Sequence, residues 1–253
     1  MPAAQQAPQQ VVLTGQSRLC RALRALEVPA LVAVPAALMA CAYFQVQQAA
    51  AATMAVVALC LVVFFAGFEA SRPALRQIMP AVVLGALAAA GRLLFFAVPS
   101  FKPVAAICII SGVVFGRRTG FLVGALAALV SNFFLSQGLW TPWQMYAWGL
   151  IGYMAGVLAC RGLFERRLGK LKLSPWLYVF AALSGLLYGW LLNTWYAISF
   201  VQPFSPAALV AAYAAGLPFD AVQSGATVVF LLVLYEPWKV KLERIRTKYD
   251  LRT

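Results

Sequence analysis

Eight apolar runs, at about residues 28–46, 52–68, 77–98, 104–116, 119–135, 142–160, 175–200 and 207–235, follow one another with short polar breaks. No other feature constrains the fold as tightly. A helix crossing the hydrocarbon core of a bilayer needs roughly 20 apolar residues. Inside lipid, only helices and closed barrels satisfy their own backbone hydrogen bonds. The runs therefore predict an all-α polytopic membrane protein of about eight helices. The chain is 63% hydrophobic and 11% charged, whereas a soluble domain is about half apolar and a quarter charged. A soluble enzyme, a nucleic-acid-binding domain and a disordered chain are excluded. The fourth run is short, at about 13 residues, and is expected to be tilted, partly re-entrant or supported by neighbours.

Sidedness follows from the cations. Arg18, Arg21, Arg24, Arg72, Arg76, Arg117, Arg118, Arg161, Arg166, Arg167, Lys170, Lys172 and the cations from Lys239 to Arg252 all fall on one side of the runs. They make up 18 of the 20 Lys and Arg residues. On the other side, loops 47–51, 136–141 and 201–206 have none, and 99–103 has only Lys102; Arg92 lies within a run. The positive-inside bias predicts that both termini are cytoplasmic, which suits an even number of spans. The formal charge of +13 is then mainly a topology signal, with contact to anionic head groups as a consequence.

Residues 1–16 are expected to be a flexible tail. Arg18, Arg21 and Arg24 opposite Leu19, Leu23 and Leu26 predict a short basic amphipathic helix on the membrane surface, so 1–26 precedes the spans. Residues 27–70 then hold two spans and 77–238 six more, with 239–253 a basic tail. Thr141-Pro142, Ser174-Pro175 and Ser205-Pro206 each put a hydroxyl at a predicted N-cap and proline at N1.

Small residues recur four apart at Ala81, Gly85 and Ala89; at Gly120, Gly124 and Ala128; at Gly152 and Gly156; and at Ala181, Gly185 and Gly189. That spacing lets helix backbones approach closely in lipid. Packing within the chain is the expected use, and docking of another membrane subunit is the alternative for one face. The five cysteines include no C-x-x-C pair and are expected to be small buried residues rather than disulfide or metal partners.

Chemistry has few places to sit. Histidine is absent, and no G-x-x-x-x-G-K-[ST], H-E-x-x-H or G-x-S-x-G occurs, so catalysis and ATP hydrolysis by this chain are not expected. Polar groups within spans are expensive and therefore informative. Arg92, Asn132, Asn193 and Asp220 lie inside runs, while Lys102, Gln137 and Gln144 lie at the cation-poor edge. Trp140, Trp143, Trp148, Tyr146, Phe133 and Phe134 cluster nearby. Two readings stay open: an aromatic belt with one buried Arg92–Asp220 pair, or a small-molecule site with apolar walls and a few oriented polar contacts.

The stretch Gly91–Gly156 contains GRLLFFAVPSFKP, ISGVVFGRRTGFLVGA, SNFF and QGLWTPWQMYAWGLIGYMAG; further on come AAGLPFDAVQSGATVVFL and KLERIRTKYDL. Over roughly residues 77–250 the chain resembles the substrate-binding S components of energy-coupling factor (ECF) vitamin transporters. The resemblance implies a six-helix core with both termini cytoplasmic, preceded here by two additional spans. It implies a bacterial plasma-membrane protein that binds a vitamin at its outer face, with no covalent cofactor. Partners would be a membrane scaffold subunit and two cytoplasmic ATPases, which alone would use ATP. Scaffold docking in the family uses an Ala-x-x-x-Ala face on the first core helix, matched by Ala86 and Ala90. The two extra spans and the KLERIRTKYDL ending lean towards the corrinoid branch (cobalamin or cobinamide); riboflavin or a pyrimidine would also suit the aromatic rim. Arg92, Lys102, Gln137, Trp140, Gln144, Asn193 and Asp220 are the candidate ligand contacts. A stand-alone secondary transporter or facilitator is the alternative, and a membrane enzyme on lipid-linked substrates a third reading.

Cysteine scanning tests the sidedness. Positions in 136–141 and 201–206 should react with an impermeant thiol reagent in intact cells, and positions in 161–173 only after permeabilisation. External labelling within 161–173 would reverse the topology.

Overall fold

The structure is a computed structural model that describes residues 7–71, 75–165, 174–201 and 204–249, with side chains from Cys20 onward. The expected loop cations Arg72, Arg166, Arg167, Lys170 and Lys172, the side chain of Arg18 and the terminal Arg252 lie outside the described residues.

Among the described residues eight α-helices form: α1 (Ala7–Phe44), α2 (Ala49–Ala70), α3 (Leu75–Leu94), α4 (Val104–Phe115), α5 (Arg117–Leu135), α6 (Trp140–Cys160), α7 (Pro175–Phe200) and α8 (Pro206–Lys248), with a 3₁₀ turn at Leu163–Glu165. Six of them (α1 from Cys20, α2, α3, α5, α7 and α8) are long and apolar enough to cross a membrane. The 21 residues of α6 reach about 31 Å at 1.5 Å per residue; its tryptophans, tyrosines and glycines dilute its hydropathy. The chain is an all-α, multi-pass membrane protein.

Helix α1 runs unbroken from Ala7 to Phe44 and takes in residues 18–26 with part of the expected tail. Helix α8 continues past the last apolar run, through Pro237 to Lys248. Its 43 residues extend about 64 Å, twice the hydrocarbon thickness. Arg246 Nη1 donates to the Val114 carbonyl at 2.8 Å and ties this extension to the end of α4.

Helix α4 is the short fourth run. Its 12 residues reach only about 18 Å, yet 11 of them are buried. A helix apolar on every side belongs inside a bundle, and α4 packs against α5, α6 and α8. Gly116 turns the chain from α4 straight into α5 at φ 89°, a conformation that only glycine adopts without steric cost.

Backbone contact between glycines holds the centre together. A Cβ on Gly112 or Gly120 would collide with the Gly152 carbonyl, and one on Gly156 with the Arg117 backbone. Gly124 meets the backbone of Trp148 in the same way, and Gly185 and Gly189 meet Ser224 and Asp220 of α8. Gly85 approaches Leu126 of α5, with a hypothetical Cβ at 3.0 Å. The small-residue faces are therefore internal packing, as expected for most of them. Ala86 and Ala90 differ: both are exposed, on the side of α3 opposite buried Ala81, Gly85 and Ala89. Cys41, Cys60 and Cys108 are buried among apolar side chains.

The α1–α2 hairpin packs on α5, α6 and α7. Phe64 stacks on Phe121 with ring centroids 3.7 Å apart, and the Tyr146 hydroxyl donates to the Leu31 carbonyl at 2.7 Å. Glu27, 2% exposed, pairs with Arg118, and Arg117 stands at 3.9 Å. Sequence reading missed this ion pair, since nothing local links residue 27 to residue 118.

The glycine contacts generate a contrast. Gly152→Val should lower stability in detergent by about 1–3 kcal/mol or more, because overpacking here meets backbone that cannot move aside. Gly225 has open space around its Cα, so Gly225→Ala should be neutral or stabilising by up to about 1 kcal/mol. Thermal melts of the purified variants check both; equal effects would refute the close-packing account.

Candidate functional site

The cation-poor end of the bundle contains the end of α3, the α3–α4 loop, the end of α5 and the start of α6. Arg92, in the last turn of α3, is only 7% exposed. Its Nη1 donates to Ser131 Oγ at 2.7 Å and to Asn132 Oδ1 at 2.6 Å, both on α5. Its guanidinium lies over the Trp148 ring at 4.9 Å from the centroid, an attraction that strengthens where water is excluded.

Asn132 passes the network on. Its Nδ2 donates to Thr141 Oγ1 and to Gln144 Oε1, each at 2.9 Å. Thr141 in turn donates to Gln137 Oε1 at 2.8 Å, and Gln137 Nε2 reaches the Leu129 carbonyl at 3.3 Å. Thr141 therefore does not cap α6 as expected. The helix begins two residues earlier than expected, at Trp140, with Leu139 at the N-cap position, and the hydroxyl serves the polar network instead. Ser205 does cap α8, accepting from the Ala208 N–H at 3.1 Å.

Tyr188 of α7 is the residue that sequence reading missed. It stacks on Trp148 at 4.9 Å between centroids and lies close to Gln144. It is also within electrostatic reach of both Arg92 and Asp220. Its position beside Gly189 on a face already marked by small residues was the available signal, but a tyrosine there reads equally well as core.

Lys102 joins from the loop. Gly91 makes this possible, since a Cβ there would stand 2.5 Å from Pro103 Cγ; without one, the loop closes down on α3. Burial, and then the neighbouring Arg92 charge, hold the Lys102 amine below its ordinary range. Ser100 and Ser136, in the two loops flanking the site, have φ of 58° and 123°. Non-glycine residues there cost about 1–3 kcal/mol each and concentrate at ligand-binding loops.

The expected contacts thus separate into two groups. Arg92, Lys102, Gln137 and Gln144 come together, with Asn132, Thr141, Trp148 and Tyr188. Asn193 and Asp220 sit on the α7–α8 seam, Asn193 against Gly216 and Asp220 against Gly189, and Tyr188 links Asp220 to the first group. No Arg92–Asp220 ion pair forms among the described residues; the guanidinium uses Ser131, Asn132 and Trp148 instead. The expected aromatic rim divides as well. Phe133, Phe134 and Trp140 are exposed, whereas Trp143, Tyr146 and Trp148 are buried. Trp143 stacks on Trp195 at 5.5 Å. Trp195 also lines an apolar cleft of about 260 Å³ with Ala50, Ala51, Met54, Leu139 and Phe200, so α2 supplies one wall beside the site.

The family model for the ECF-type riboflavin transporter S component matches residues 74–240, from α3 into α8. The chain belongs to this S-component family. A UPF0397 protein of Vibrio atlanticus is 29% identical over 148 residues, covering 54% of this S component and 81% of the relative. No solved structure matches. An S component is the substrate-binding subunit of a transporter and not an enzyme, in keeping with the missing nucleophile–base pair and P-loop. The matched segment contains every residue of the polar network and leaves out the α1–α2 hairpin.

Stability coupling separates the two pairings of Arg92. Arg92→Gln and Asp220→Asn should add to within about 0.5 kcal/mol, whereas Arg92→Gln and Asn132→Ala should couple by more than that. Unfolding of the single and double variants in detergent measures both cycles. The reverse ordering would restore the buried Arg92–Asp220 pair.

Proposed function

We propose that this chain captures a vitamin at the cation-poor end of its bundle and delivers it to an ECF-type importer. The observation that carries the reading is the Arg92–Asn132–Gln144 network beside the Trp148–Tyr188 stack. Apolar walls with a few oriented polar groups suit a small organic molecule, and the stacked rings suit one with a flat conjugated system. The cation asymmetry supports an arrangement with both termini in the cytoplasm and the site facing outwards, in a bacterial plasma membrane. A scaffold subunit and two ATPases would supply the energy, and this chain would contact ATP only through them.

A corrinoid is the first candidate substrate, on the strength of the two added helices and the KLERIRTKYDL ending. Riboflavin is the second, on the description of the matching family. Both carry the conjugated ring that the site favours.

The exposed Ala86/Ala90 face of α3, bordered by exposed Val82, Val83 and Leu87, is the proposed scaffold contact. Small side chains there would let a second helix approach closely in lipid, and nothing in the polar network touches them. Mass spectrometry of the purified protein should find a retained vitamin, and the tagged chain should co-purify with a membrane subunit and ATPases. Ala86→Trp and Ala90→Trp should abolish uptake and co-purification while leaving vitamin affinity within about twofold. Uptake that persists without any ATPase would instead establish a stand-alone facilitator.

A further inference from the structure

We propose that Arg92 and Lys102 form a subsite for an acidic group, a carboxylate or phosphate, carried by the captured vitamin. The inference rests on the vitamin-capture reading and adds the chemical class of the substrate. Of the 20 Lys and Arg residues, 18 lie where membrane sidedness accounts for them. Arg92 and Lys102 are the remaining two. They come from different elements, yet the close approach of Pro103 to Gly91 lays the Lys102 loop against the last turn of α3 that carries Arg92.

Two like charges drawn together away from water are costly unless something opposes them. Among the described residues, neither Arg92 nor Lys102 forms an ion pair with a carboxylate. The partners of Arg92 are a hydroxyl, an amide oxygen and a ring face. These orient the guanidinium without neutralising it. Its Nε is buried and has no acceptor, which leaves an unused donor on a group shaped for oxyanions.

Asn132 is held in turn by Thr141 and Gln144, so the guanidinium is fixed before any ligand arrives. Such preorganisation reduces the ordering cost of binding. Lys102, on a partly exposed loop, adds a second cation beside it. A charge-assisted contact to an oxyanion is about twice as strong as a neutral hydrogen bond. The Trp148–Tyr188 stack would then lie against the ring of the same molecule.

The test uses the full chain in nanodiscs of lipids with no net charge. Calorimetric titrations compare matched pairs that differ by one acidic group: riboflavin 5′-phosphate with riboflavin, nicotinate with nicotinamide, pantothenate with pantothenol, and cobinamide phosphate with cobinamide. In at least one pair the acid should bind tenfold or more tightly than its neutral partner. Arg92→Gln should remove that preference and Lys102→Gln should reduce it severalfold; Lys102 lies on a loop, so its variant keeps the test readable if Arg92→Gln fails to fold. Neutral members that bind as tightly as the acids would overturn the acidic subsite and leave vitamin capture standing. Failure of every compound to bind would overturn both. Stabilisation by phosphatidylglycerol in the nanodisc, with none from soluble acids, would assign the two cations to a lipid head group and overturn the proposal.

Discussion

The backbone contact among Gly112, Gly120 and Gly152 is the constraint on which the rest of the structure depends. In hydrocarbon the lipid tails are as apolar as leucine, so helices gain little from hiding apolar surface and associate through close packing. Glycine on three neighbouring helices brings α4, α5 and α6 into backbone contact, and Gly116 permits the direct turn that starts α5 beside α4. The same antiparallel packing carries Asn132, near the end of α5, up against Thr141 and Gln144 at the start of α6. The polar network is a consequence of the glycine packing, since both ends of the hairpin are fixed once its middle is.

The network also explains how a cation can lie within an apolar bundle. An isolated guanidinium in hydrocarbon would be strongly disfavoured. Arg92 sits instead at the end of α3, with two acceptors from α5 and the Trp148 face from α6. Each partner is neutral, so the positive charge persists. A bundle that needed only stability could have paired Arg92 with Asp220, which is buried nearby on α8. The structure leaves them unpaired, with Tyr188 within electrostatic reach of both.

The features legible in the sequence were those set by local chemistry. Apolar run length marked the helices, Ser205-Pro206 marked the start of α8, and four-residue spacing marked the faces that pack. Polar residues inside runs identified Arg92 and Asn132, because each is expensive there whatever its partner. Partners themselves were not legible. Nothing near Arg92 names Asn132 over Asp220, and nothing near Gly189 marks Tyr188 as more than core. Glu27 shows the same limit, since its pairing with Arg118 depends on how a hairpin outside the matched segment lies on the bundle. Helix ends failed where a competing use existed: Thr141 has the right chemistry for a cap, but Asn132 and Gln137 claim its hydroxyl.

The α1–α2 hairpin is structurally inseparable from the core although the family match begins after it. Its contacts use three different kinds of interaction on two helices. Glu27 pairs with Arg118 at the start of α5, the Leu31 carbonyl accepts from Tyr146 of α6, and Phe64 stacks on Phe121 of α5. Any rigid-body movement of the six-helix core would therefore carry the hairpin with it. The placement is selective. By covering α5, α6 and α7, the hairpin adds Ala50, Ala51 and Met54 to the wall beside the site and leaves the Ala86/Ala90 face of α3 exposed. Two helices can be added to such a bundle without blocking the surface a second membrane subunit would need, because the proposed docking residues and the hairpin's contacts lie on different helices.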